Sequence, residues 1–191
     1  MKNLRPIILA SNSPRRKQLL SEAGIEFIVK SKNVEEVYSS DLEAVEIPLY
    51  LSKIKALAFK AEINHEIVIS ADTIVCLGKK ILEKPLDSEH AVSMLMELSG
   101  NVHEVITAVS FMDKDKLESF HEVTQVHFHP ISEKDIRYYV EKYQPLDKAG
   151  AYGIQEFIGL IGIKKIVGSH YNVMGLPIDK VYQKLQEWNA I

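Results

Sequence analysis

The stretch that determines the fold is PIILASNSPRRKQLLSEA, residues 6–23. Residues 6–10 form an apolar run typical of a buried strand. Ser13 followed by Pro14 predicts a helix over residues 14–23, because serine is a preferred N-cap and proline is favoured at the first helical position. A buried strand that turns directly into a helix is the start of a βα unit, which indicates an α/β protein.

Strand-like and helix-like segments alternate through the rest of the chain. Apolar periodicity, β-branched runs and turn residues predict the element type of each segment. We predict helices over residues 47–63, 88–98 and 177–188, and a further helix that starts at a capping box, residues 132–135, and ends at about residue 142. We predict strands over residues 67–77 (interrupted at 71–73), 80–83, 102–112 and 117–129. Residues 148–175 are predicted to hold short strands and turns.

Composition narrows the class of protein. The chain has 191 residues, a hydrophobic fraction of 46% and a net charge of −3, which are ordinary values for one compact soluble unit. The sequence shows neither a signal peptide nor an apolar run long enough to span a bilayer, so we expect a cytoplasmic protein without a membrane partner. The acidic balance without a basic tract argues against a dedicated nucleic-acid binder. Cys76 is the single cysteine, and we expect a small buried hydrophobe there.

The turn SNSPRR, residues 11–16, is the first candidate site. Arg15 and Arg16 place two cations in the first turn of a predicted helix, where the helix dipole favours anions. Free backbone N–H groups near Ser13 and two guanidinium groups would form a phosphate cradle. The pattern is equally compatible with two arginine side chains that point to solvent.

Asp72 is the second candidate, because it interrupts an apolar run in which its neighbours are predicted to be buried. A buried carboxylate is costly unless it is paired, hydrogen-bonded or bound to a metal. A structural role at a strand bulge is an equal alternative. Its candidate partners are Glu35, Glu36, Lys55 and Lys84. Taken singly, each of these side chains is more simply interpreted as a solvated surface charge.

The run DKAGAYGIQ, residues 147–155, is the third candidate. Small residues allow a ligand to approach closely, and the amide of Gln155 can both donate to and accept from the edge of a base. The same run is equally compatible with a tight structural turn. No nucleophile elbow or Ser-His-Asp order is visible, so covalent catalysis is not expected.

Together these motifs resemble the Maf family of nucleotide pyrophosphatases, in order and over nearly the whole chain. The motifs that carry the resemblance are residues 9–16 (LASNSPRR), 70–73 (SADT), 84–85 (KP), 98–103 (LSGNVH), 107–109 (TAV), 147–155 (DKAGAYGIQ) and 168–177 (GSHYNVMGLP). The resemblance implies one Maf-like domain with an elongated, two-lobed α/β fold, related to the inosine triphosphate pyrophosphatases, with a mixed sheet flanked by helices. It also implies a homodimer.

The resemblance implies hydrolysis of a nucleoside triphosphate to the monophosphate and pyrophosphate. Arg15, Thr73 and Gln155 match the branch that acts on dTTP and UTP rather than on 7-methyl-GTP, with modified pyrimidine nucleotides as further candidates. Asp72 is then the proton acceptor. We further expect a magnesium or manganese ion on Glu36 and Asp72, and substrate binding by Ser13, Arg16, Lys55 and Lys84. The alternative from another class is a nucleotide-binding regulator of cell division that acts through a protein partner.

Overall fold

The structure, a computed structural model, describes residues 3–191. In chain order its elements are β1 (Ile7–Leu9), α1 (Pro14–Glu22), β2 (Ile28–Val29), α2 (Glu46–Leu57), β3 (Ile67–Leu77), β4 (Lys80–Leu82), α3 (Ser88–Leu98), β5 (Val102–Met112), β6 (Leu117–Phe128), α4 (Glu133–Tyr143), α5 (Phe157–Gly162), β7 (Ile163–Val167), α6 (His170–Val173) and α7 (Ile178–Glu187).

Within the described residues, the strands form one seven-stranded mixed sheet in the order β2-β1-β3-β5-β6-β7, with β4 paired to β3. Strand β1 is parallel to both of its neighbours, as expected when a helix connects successive strands. Strand β4 is antiparallel to β3, and β7 is antiparallel to β6. The prediction of a mixed α/β sheet flanked by helices is therefore confirmed.

The chain divides into two compact units. Unit 1 comprises the chain up to Asp72, Thr107–Glu122 and Gly175–Ile191; unit 2 comprises Thr73–Ile106 and Val123–Met174. Strands β3, β5 and β6 contribute residues to both units.

Each unit has its own apolar core. In unit 1, Ile8 and Val68 of the sheet pack with Phe59 and Ile63, which follow α2. In unit 2, apolar side chains of α3 and α4 pack against the sheet, and Tyr139 of α4 is fully buried among them. No helix within residues 3–191 is long and apolar enough to cross a membrane.

Two local predictions were wrong, and two were confirmed only in part. Helix α2 ends at Leu57 rather than at residue 63, because turn-type hydrogen bonds replace the helical ladder and Lys32 donates to the Ala58 carbonyl at 2.7 Å. Strand β3 runs without interruption through Asp72. Residues 148–175 contain the predicted short strand, β7, and turns, but also short helices that were not predicted. Ser13 occupies the predicted N-cap position of α1, and only its side-chain capping hydrogen bond is missing.

Candidate active site

Asp72 and Lys55 form the centre of the candidate site in unit 1. The ammonium of Lys55 donates to Asp72 Oδ1 at 2.7 Å, and the side chains of Lys55 and Asp72 are only 18% and 12% exposed. This pairing explains how a carboxylate is accommodated inside the buried strand β3, since an unpaired charge there would be costly.

A second hydrogen bond fixes the two elements that carry this pair. Ser70 donates from its hydroxyl to the Ser52 carbonyl at 2.6 Å. Ser70 and Asp72 lie on the same face of β3 because they are two residues apart, and Ser52 and Lys55 lie on the same face of α2 because they are three apart. The Ser52–Ser70 contact therefore holds α2 in the position from which Lys55 reaches Asp72.

Glu36 is the second carboxylate in contact with Lys55. Its Oε2 lies 2.9 Å from Lys55 Nζ, and its side chain is 49% exposed. One ammonium thus bridges an exposed and a buried carboxylate that are distant in sequence. The predicted association of Glu36, Lys55 and Asp72 is present in the structure.

Arg16 binds backbone and side-chain acceptors close to Asp72. Its Nε donates to the Gly175 carbonyl at 2.8 Å, and its Nη1 donates to the Ala71 carbonyl at 2.7 Å and to Ser11 Oγ at 3.2 Å. Burial lowers the pKa of the Arg16 guanidinium, but from an ordinary value so high that the group stays charged. Arg16 therefore places a positive charge beside Asp72 while it also fixes the surrounding backbone.

Ser13 and Arg15 lie at the start of α1, and both are half-buried. The Ser13 N–H donates to Ser11 Oγ at 3.2 Å. The buried Ser11 hydroxyl therefore organises both the turn before α1 and the Arg16 guanidinium. Sequence reasoning included Ser11 only as part of a motif, because a serine before a helix carries no distinctive signal.

The pKa of Asp72 is raised above its ordinary value. Burial is the main cause; Lys55 and Arg16 oppose the shift, and Glu36 adds to it. A raised pKa strengthens the carboxylate as a base, which is the property that general-base catalysis requires.

The remaining predicted residues belong to unit 2. Thr73 directly follows Asp72 in β3 and is half-buried, and Lys84 is exposed after β4. Gln155 is exposed in a turn over residues 153–156, in which the Glu156 N–H donates to the Gly153 carbonyl at 3.0 Å. The structure thus gathers Arg16, Glu36, Lys55 and Asp72 in one unit, and describes Lys84 and Gln155 in the other.

Sequence reasoning did not identify Tyr139 and Glu156, which hold the turn that carries Gln155. The Tyr139 hydroxyl accepts from the Gly153 N–H at 3.1 Å and donates to Glu156 Oε2, and Glu156 Oε1 lies 3.3 Å from Lys148 Nζ. Tyr139 falls at an apolar position of α4 together with Ile136 and Val140, so its pattern indicates only a core residue.

A buried histidine of unit 2 contacts a tyrosine hydroxyl. His103 of β5 is buried, and its Nε2 lies 2.7 Å from the Tyr152 hydroxyl. Burial, aided by the neighbouring His127, lowers the pKa of His103 to about 4. His103 is therefore neutral at physiological pH and belongs to the packing of unit 2.

The fold and the buried Asp72 with its cations are consistent with the predicted family. The family model described as Maf-like protein matches residues 6–188, and the chain belongs to this family.

Proteins named for an enzymatic activity are similar to this chain along nearly its whole length. A protein of Cytophaga hutchinsonii named dTTP/UTP pyrophosphatase is 55% identical over 181 residues, which cover 95% of this chain and 83% of the relative. A protein of the same name from Bacteroides thetaiotaomicron is 51% identical over 183 residues, which cover 95% of each chain.

A solved structure shares the fold at low sequence identity. A HAM1 protein from Coxiella burnetii aligns with a TM-score of 0.51 and 14% identity, over 96% of this chain and 100% of the other. At this identity the similarity shows the fold alone.

Proposed function

We propose that this chain is a nucleoside triphosphate pyrophosphatase that hydrolyses dTTP and UTP to the monophosphate and pyrophosphate. The observation that carries the proposal is the buried Asp72, paired with Lys55 and placed beside Arg16, in a chain about half identical to proteins named dTTP/UTP pyrophosphatase. A module that only binds nucleotides has no need of a buried base with a raised pKa.

Asp72 acts as the general base in this proposal. It accepts a proton from the water that attacks the α-phosphorus, and the bond from this phosphorus to the bridging oxygen of the β-phosphate breaks. Pyrophosphate leaves with the electron pair of that bond. Burial raises the pKa of Asp72 and favours proton transfer to it, while Lys55 holds Oδ1 in place.

Cationic side chains counter the charge of the triphosphate. Arg15 lies in the first turn of α1, where N–H groups of the helix end attract anions. The Arg16 guanidinium also contributes positive charge, although its Nε and Nη1 are engaged with protein acceptors. Lys55 and Lys84 complete the proposed substrate-binding cations, with Ser13 at the turn.

The residues present fit a divalent cation. Glu36 and Asp72 both contact Lys55, so the two carboxylates lie close to one another. Magnesium binds one or two carboxylates together with substrate phosphates. Within residues 3–191 no group of three or more His, Cys, Asp or Glu is placed to hold a metal by itself, so phosphate oxygens and water would have to complete the shell. Magnesium or manganese, when bound to Glu36 and Asp72, would neutralise phosphate charge.

Base selection is assigned to Arg15, Thr73 and Gln155. Gln155 is exposed at the centre of its turn, and its amide offers both a donor and an acceptor to a pyrimidine edge.

The expected assembly is a homodimer, which sedimentation velocity tests directly.

The test of the activity is pyrophosphate release with magnesium or manganese from dTTP, UTP, CTP, dATP, GTP and 7-methyl-GTP, with the products identified by chromatography. We expect monophosphate and pyrophosphate from dTTP and UTP, and no turnover after chelation of the metal. Asp72→Asn should lower kcat/KM by at least about 100-fold, the usual contribution of a general base.

Asp115→Asn is the matched control, because Asp115 is exposed in the turn between β5 and β6. It should retain the wild-type rate. Nucleotide binding without release of pyrophosphate would replace the proposed enzyme by a nucleotide-binding regulator, and a normal rate in Asp72→Asn would remove Asp72 from the mechanism.

A further inference from the structure

The 153–156 turn gives Gln155 a defined position. The hydrogen bond from the Glu156 N–H to the Gly153 carbonyl closes the turn, with Ile154 and Gln155 as its central residues. Ile154 is 5% exposed, whereas Gln155 is exposed. The buried Ile154 anchors one side of the turn, and the geometry of the turn sets the direction of the Gln155 side chain.

The Tyr139 hydroxyl contacts both ends of this turn. It accepts from the Gly153 N–H at 3.1 Å and donates to the carboxylate of Glu156. Tyr139 is fully buried in α4, and its ring stacks on that of Tyr143 with centroids 5.0 Å apart. A rigid element of the core therefore fixes the two residues that flank the centre of the turn.

The Glu156 carboxylate is held from a second direction. Its Oε1 lies 3.3 Å from Lys148 Nζ, which also donates to Asp147 Oδ1 at 2.8 Å. The side chains of Lys148 and Glu156 are only 9% and 19% exposed. Because charge-assisted hydrogen bonds strengthen away from water, Glu156 has little freedom to leave Tyr139.

Two glycines allow the close packing around the turn. A Cβ on Gly153 would lie 2.7 Å from Glu156 Cδ, and a Cβ on Gly159 of α5 would lie 1.8 Å from the Ile154 carbonyl oxygen. The second distance is far below any real contact. The backbone of α5 therefore touches the turn on one side, while Tyr139 of α4 contacts both of its ends.

We infer that Tyr139 is a specificity-determining positioning residue: its hydroxyl holds the 153–156 turn so that Gln155 meets the pyrimidine edge in one orientation. This inference rests on the proposed function, because it assigns base selection to Gln155. Tyr139 itself does not touch the substrate. Its role is to limit the orientations of a residue that does.

Tyr139→Phe tests the inference with the smallest change. The variant keeps the buried ring but leaves the Gly153 N–H and the Glu156 carboxylate without their shared partner. The turn should then adopt several orientations, and Gln155 should discriminate less well. We expect the ratio of kcat/KM for dTTP to that for CTP to fall by about fivefold, equivalent to about one neutral hydrogen bond.

The ratio separates positioning from a general loss of folded protein. A destabilised variant has fewer active molecules, which lowers the rates on all nucleotides equally and leaves the ratio unchanged. Tyr138→Phe is the matched control, because Tyr138 is exposed on the same helix and its hydroxyl accepts from Lys142 at 2.8 Å. It should keep the wild-type ratio, and Gln155→Ala should shift the ratio in the same direction as Tyr139→Phe.

Glu156→Gln provides a second variant if Tyr139→Phe does not fold. The amide keeps the size of Glu156 and an acceptor for Tyr139, but it loses the charge that pairs with Lys148, so a smaller fall in the same ratio is expected. An unchanged ratio in a folded, active Tyr139→Phe or Glu156→Gln protein overturns the inference and leaves the proposed function intact. Absence of hydrolysis by the wild-type chain overturns the proposed function itself, and wild-type hydrolysis without base preference overturns the inference.

Discussion

Asp72 is subject to two opposing effects on its pKa. Burial raises the pKa, while Lys55 and Arg16 lower it. Burial thus favours the protonated form of the carboxylate, and its cationic partners favour the ionised form. The pH at which the proposed reaction loses activity on the acid side should therefore depend on Lys55.

The predicted change is Lys55→Met. In the proposed mechanism, protonation of Asp72 makes kcat/KM fall as pH decreases through the pKa of this carboxylate. Removing Lys55 removes a cause that lowers the pKa, so the pKa rises further and the acid limb moves to higher pH. A shift of about one pH unit or more is expected for an adjacent opposite charge.

The measurement is kcat/KM for dTTP as a function of pH. Lys53→Met is the control, since Lys53 is exposed on the same helix and its removal should leave the limb in place. A limb that stays at the wild-type pH in Lys55→Met would mean that its pKa does not belong to Asp72.

Sequence patterns predicted part of this site and could not predict the rest. Asp72 was conspicuous because a carboxylate in a buried run needs a partner, and Lys55 was one of several candidates. The contact itself arises from the tertiary packing of α2 against β3, where the Ser70 hydroxyl donates to the Ser52 carbonyl across 18 residues of sequence. Tyr139 gave no signal, because a tyrosine at an apolar helix position has the same pattern whether or not its hydroxyl holds a turn.

At the scale of elements, the strand bounds in the structure agree closely with those predicted from sequence, whereas one helix ends earlier than predicted. Strand β5 and helix α3 have the predicted bounds, because β-branched runs and a clear apolar period end at polar turn residues. Helix α2 ends early although the spacing of Phe59 and Ile63 continues the helical pattern, and both side chains are buried. Periodicity records which side chains face the core, and a series of turns can satisfy it as well as a helix.

A buried histidine of strand β5, His103, should make the stability of the protein depend on pH. Burial lowers the pKa of His103 from 6.5 to about 4, so the folded protein binds a proton less tightly than the unfolded chain. The stability from neutral His103 is fully present above the unfolded pKa and is lost as pH falls toward the folded pKa. The expected loss between neutral pH and pH 4 is about 3 kcal/mol.

The measurement is the free energy of unfolding in urea across this pH range for wild type and His103→Gln. The variant should lose less stability than wild type as the pH falls, since glutamine does not titrate. His121→Gln, at an exposed position of β6, should keep the wild-type dependence. Equal slopes in wild type and His103→Gln would assign the acid sensitivity to other groups.

At the scale of the whole molecule, three strands contribute backbone to both units. Neither unit is a continuous segment of chain, so neither can be cut out at a linker. We therefore expect both units to unfold in one cooperative transition, as small proteins with shared secondary structure usually do.

Two probes test this expectation. Trp188, the single tryptophan, is buried in unit 1, where Lys116 Nζ lies 3.9 Å from its ring centroid, so its fluorescence reports on that unit. Pulsed hydrogen exchange of peptides from α3 reports on unit 2. The two urea midpoints should coincide, and separated midpoints would show that the units unfold independently.

The single cysteine has a practical consequence for labelling. Cys76 is 2% exposed in β3, and burial raises the pKa of its thiol to about 11, so little thiolate is available to react at neutral pH. A cysteine introduced at an exposed position such as Ser93 of α3 should therefore be modified selectively by a maleimide dye without prior removal of the native thiol. The wild-type chain is in this sense already a background for single-site fluorophore or spin-label attachment.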